Sequence, residues 1–157
     1  MPVASITQTI LDAIDTALIA KLGTGSGATH EILTANFYKR KLPWDVGVNL
    51  PGLFMAPVPE LEDKDKGTNA SDDVGYGVQI TIVQASNRDL EANADRLYYW
   101  REEAMDTFRS KRLAGTGDAN IHLVDIETRP VIDPASFARQ IDATAFVLRC
   151  WTRKMRP

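Results

Sequence analysis

The sequence predicts an α+β fold: a mostly antiparallel sheet of four to five strands with two main helices packed on one face. Three observations predict it. Residues 74–84 alternate apolar with small or polar side chains at period two, the signature of a strand buried on one side. Residues 5–22 and 89–112 instead repeat their apolar positions every three and four residues, which makes a one-faced helix. The other apolar runs are short and bounded by proline and glycine, so the order is helix, two or three strands, helix, two strands. With 157 residues, 44% of them hydrophobic and 25% charged, the chain has the size and composition of one globular domain spanning 1–157.

Ser5 caps the first helix, with Gln8 three residues on as its capping-box partner. Ile6, Ile10, Ala13, Ile14, Ala17 and Leu18 then share a face. The link Gly23-Thr24-Gly25-Ser26-Gly27 stops the helix near Leu22, because glycine loses the most backbone freedom when made helical. Residues 31–38 read as a strand, with Lys39, Arg40 and Lys41 solvated at its end. Pro43, Gly47, Pro51 and Gly52 punctuate a loop. Residues 53–58 form a short apolar strand, which Pro57 pushes to an edge or a strand end. Residues 59–73 carry turn chemistry and six carboxylates against two lysines, which predicts a mobile acidic surface loop.

In the strand 74–84, Val74, Tyr76, Val78, Ile80 and Ile82 take one face and Gly75, Gly77, Gln79 and Thr81 the other. Ser86 or Asn87 caps the second helix, whose stripe is Leu90, Ala94, Leu97, Arg101, Ala104, Met105 and Phe108. Acidic residues in its first turn and Arg109, Lys111 and Arg112 in its last match the helix dipole. Residues 121–126 are a further strand, and Pro130 and Pro134 restrict the backbone after it. Residues 143–152 close the chain; both faces of this strand are apolar, which puts it inside the sheet or covers its second side.

Several function classes lack their residues. A net charge of −3 gives nucleic-acid binding no electrostatic support. The single cysteine, Cys150, excludes an internal disulfide and an all-cysteine metal cage, and reads as a small buried hydrophobe. His30 and His122 are far apart and on different elements, so no zinc ligand set is legible, and His122 is expected on a strand's polar face. No G-x-S-x-G elbow is present, and the glycines at 23–27 follow a helix with no lysine after them, unlike a phosphate loop. No catalytic residue, metal or cofactor is expected. The N-terminus lacks a secretion signal's layout, and no apolar run approaches the ~20 residues of a membrane span.

What remains is contact chemistry. Glu60, Glu62, Asp63 and Asp65 lie in the acidic segment, while Arg149, Arg153, Lys154 and Arg156 make a basic C-terminal strand and tail, 153–157. Opposite charge on two parts of one protomer suits a head-to-tail ring, in which the acidic loop orders against the next copy's basic surface. Successive helical residues turn by about 100°, so Tyr98, Tyr99, Trp100 and Arg101 fan around the second helix and at most two face the core. Tyr98 and Trp100 at the core's flank account for two rings. A further ring beside an arginine has the composition of interfaces, which makes Tyr99, Trp100 and Arg101 contact candidates.

In layout the chain resembles the tail terminator and neck (head–tail joining) proteins of tailed bacteriophages. The resemblance rests on the N-terminal helix from Ser5, the proline-bearing strand at 53–58, and the loop leading to the long alternating strand at 74–84. The amphipathic helix at 89–112 and a last strand ending in charged residues complete it. The glycine-rich link after the first helix and the segment 130–142 depart from the commonest members. The resemblance implies an α+β domain that assembles with itself into a ring, usually a hexamer. Such a ring caps the finished tail tube and meets the head-completion or connector proteins, in the virion and, during assembly, in the host cytoplasm.

The sequence therefore favours a structural virion protein over an enzyme. The alternative is a small metabolite-binding or enzyme domain, with a pocket between helix 89–112 and the sheet and with Tyr98, Arg101 and Arg149 as anion or ring contacts.

Overall fold

In a computed structural model, residues 5–39, 45–68, 71–85, 90–109, 113, 116, 121–129 and 141–155 are described. The elements run α1 (Ile6–Leu22), a 3-10 turn (Thr34–Asn36), β1 (Phe37–Lys39), β2 (Gly52–Thr68), β3 (Ser71–Ala85), α2 (Leu90–Phe108), β4 (Leu123–Thr128) and β5 (Ile141–Met155). The five strands form one sheet in the order β1-β2-β3-β5-β4. Only β1–β2 is parallel; the other three pairings are antiparallel. The fold is α+β, as the periodicities predict.

Local chemistry fixes α1. The Gln8 backbone N–H donates to Ser5 Oγ at 3.1 Å, closing one half of the capping box; the Gln8 side chain turns to Asp12 Oδ1 instead. Gly23 ends the helix, and Gly25 and Gly27 adopt φ of 81° and 78°, backbone that a side chain strains. The link then returns to the core: Ile32 is fully buried and its N–H reaches Leu22 O at 2.8 Å. From α2, Trp100 Nε1 donates to His30 O at 2.8 Å, and Tyr99 Oη accepts from Thr29 N–H at 2.9 Å.

Both helices pack on the same sheet face. Ile10, Ile14 and Leu18 of α1 and Leu97, Trp100, Ala104 and Phe108 of α2 meet Met55, the Val74–Ile82 alternation and Phe146, Leu148 and Cys150 in one core. Removing this apolar surface from water, at roughly 25 cal/mol per Å², is the main stabilising term. A smaller cluster on the opposite face holds Tyr38, Phe54, Val83 and Ala143 beneath Val48 and Leu50.

Four elements differ from the sequence reading. The strand expected at 31–38 is confined to β1, because the chain before it takes the 3-10 turn, with Asn36 Nδ2 bonded to Pro51 O at 3.0 Å. The mobile acidic loop expected at 59–73 is instead strand at 59–68 and 71–73, with 69–70 outside the described residues: β2 and β3 pair at Leu61–Asp63 and again at Thr68↔Ser71. That pairing with a strong neighbour outweighs the loop-like composition. The basic tail begins inside a strand, since β5 reaches Met155 and carries Arg153 and Lys154; Arg156 lies outside the described residues. The expected strand at 121–126 sits two residues later, as β4. The second helix's expected ends, Asp89 and 110–112, lie outside the described residues, as does nearly all of the segment 130–142. Among the described residues, no helix is long and apolar enough to cross a membrane.

Candidate interaction surface

The sheet face away from the helices carries Arg149 and Arg153 of the sequence-predicted charge. Strand alternation puts Gly75 and Gly77 there, opposite Trp151 and Arg149 of β5. The glycines make a trough. A Cβ on Gly75 would stand 2.7 Å from Arg149 Cδ and 3.1 Å from Trp151 Cη2, and one on Gly77 would collide with Val58 and lie 2.6 Å from Arg149 Nη1. Arg149 lies in this trough, only 6% exposed. Its Nε donates to Glu127 Oε1 at 2.9 Å and its Nη1 to Pro59 O at 2.8 Å.

These bonds run diagonally. Arg149 stands opposite Asp125 but pairs with Glu127; Trp151 stands opposite Leu123 but its Nε1 donates to Asp125 Oδ2 at 2.9 Å. Each β5 side chain therefore leans two residues along β4. At the far end Arg153 grips Asp73, Nε to Oδ1 at 2.8 Å and Nη2 to Oδ2 at 3.3 Å. That hydrogen bond and attraction hold the Arg153 guanidinium above its ordinary pKa. His122, half-buried beside β4, stands 3.9 Å from the same carboxylate.

The predicted contact residues divide accordingly. Trp100 is 2% exposed and belongs to the core, a correction to its reading as an interface ring. Arg101 keeps its place on the helical stripe but is buried: Nη1 donates to Thr144 Oγ1 at 2.9 Å and Ala145 O, and Nη2 to Arg129 O at 3.0 Å. Burial lowers its pKa. Tyr99 is partly buried against the core, and the outward ring of the cluster is Tyr98, 39% exposed. Arg149 is likewise interior. Glu60 is exposed on β2, and Lys154 is exposed on β5 with Nζ 5.1 Å from the Tyr76 ring centroid. Glu62, Asp63 and Asp65 lie on β2, their side chains outside what is described.

Arg101 and Arg149 do not converge. Arg101 descends from α2 onto the covered face, while Arg149 stands on the other, so the metabolite pocket built on both has no common floor. A cleft between α2 and β4 measures about 200 Å³ and one between α1 and β2–β3 about 250 Å³. Both fall below the range of about 300–1,000 Å³ typical of small-molecule sites. Cys150 is fully buried and its thiol is pushed up to about 12 by desolvation, a poor nucleophile.

The sequence reading misses Gly75 and Gly77 as a cradle, and with them Glu127, Asp125 and Asp73 as the partners of β5. Two glycines at alternate positions of an otherwise bulky strand are the available signal. No known protein-family model matches the chain, and no curated protein matches its sequence.

Proposed function

We propose that this chain is a structural protein of a tailed-bacteriophage virion. It forms a ring with copies of itself, six in the family it resembles, at the head–tail junction. There the ring ends the tail tube, joins the tail to the head connector, or does both. The observation that supports this reading is the arm made by β2, β3 and β5. After β1 stops at Lys39↔Met55, β2 runs on to Thr68, and β3 and β5 stay paired as far as Ser71↔Met155. Three joined strands hold such an arm stiff, while Glu60 and Leu61, the latter 48% exposed, stand on its outer strand.

The action is steric, with no bond made or broken. One face of the ring matches the growing tube and the other does not, so tube addition ends and docking begins. Sedimentation velocity and negative-stain microscopy test this, on the chain alone and mixed with tail tubes purified from the phage whose genome carries it. A ring at tube ends is expected. A monomer that leaves tube ends bare overturns the proposal.

A further inference from the structure

We draw no further inference here: the strongest candidate, the buried cluster of Gln84, Asn93 and Asp142 where β3 ends and β5 begins beside the first turn of α2, carries nothing, since residues 86–89 and 130–140 next to it lie outside the described ones and nothing among the described residues shows what Asp142 Oδ1 meets.

Discussion

Arg153 and Asp73 face each other across β5 and β3, and their bidentate pair closes the basic end of the chain onto the acidic hairpin of the same protomer. Asp72 and Lys154 are opposite one another in the next register position. Charge that the sequence offers for contact between copies is therefore partly engaged within one copy. Asp73 is 5% exposed at its side chain and Arg153 51%, so losing the arginine takes the bidentate counter-charge from a buried carboxylate, while losing both groups leaves a buried neutral amide, which costs less than a buried charge. Arg153→Gln is expected to lower the thermal midpoint more than the double variant Asp73→Asn with Arg153→Gln. Differential scanning calorimetry of the three proteins reads the order directly.

The trough beneath Arg149 predicts an overpacking cost. Alanine at Gly77 would drive its methyl into Val58 and Arg149, whereas alanine at Gly75 meets Arg149 and the Trp151 ring edge. Val58 is held by strand pairing on β2 and cannot swing aside as a long side chain can. Gly77→Ala is expected to destabilise the fold by about 1–3 kcal/mol, and Gly75→Ala by less. Urea unfolding followed by tryptophan fluorescence measures both.

Arg149 and Glu127 form the one strong pair that links β4 to β2 among the described residues, since the same guanidinium also bonds Pro59 O. Arg149 is buried and Glu127 about one-third exposed, so the two single variants are not equivalent. Glu127→Gln leaves a buried cation short of its anion, for about 1–3 kcal/mol. Arg149→Met leaves a carboxylate that water can still reach, but it also releases Pro59. A double-mutant cycle is expected to give a coupling of about 1–2 kcal/mol. A value near zero would mean that packing in the trough, not the ion pair, holds Arg149.

How much of this is legible in the sequence depends on whether the signal is local. Ser5 and the glycines at 23–27 bracket α1 to the residue, because capping and helix stopping are decided within one turn. The alternation at 74–84 gives β3 and both of its faces correctly. The outer half of β2 is not legible: Glu60 to Lys66 has no alternating apolar residues, and what the sequence does not display is the pairing of Leu61, Glu62 and Asp63 with β3. Trp100 reads both as a core-flanking ring and as a contact candidate, and the structure decides for the core. Its indole N–H finds His30 O on a returning loop, a partner seventy residues away that no helical wheel displays. Arg149 reads as surface charge because its carboxylate lies on β4 and its cradle on β3, and only the strand order brings them together.

Cys150 gives the clearest pH dependence. It is fully buried on the helix-covered face, and desolvation raises its thiol from 9.0 to about 12, with the nearby Arg149 charge a smaller opposing influence. The folded state thus holds the proton more tightly than the unfolded one. Its contribution to stability is fully present below pH 9 and is lost as the pH climbs from about 9 toward 12, where the unfolded thiol has ionised and the folded one has not. At pH 8 the native chain is expected to resist iodoacetamide and to react only at the rate at which it unfolds. Cys150→Ala is expected to flatten the fall in stability between pH 9 and about 11, after allowing for the cavity it creates. Mass spectrometry of the alkylated protein and urea midpoints across that pH range check both. Rapid labelling of the native chain at pH 8 would place the thiol at the surface and remove the desolvation on which the pH dependence stands.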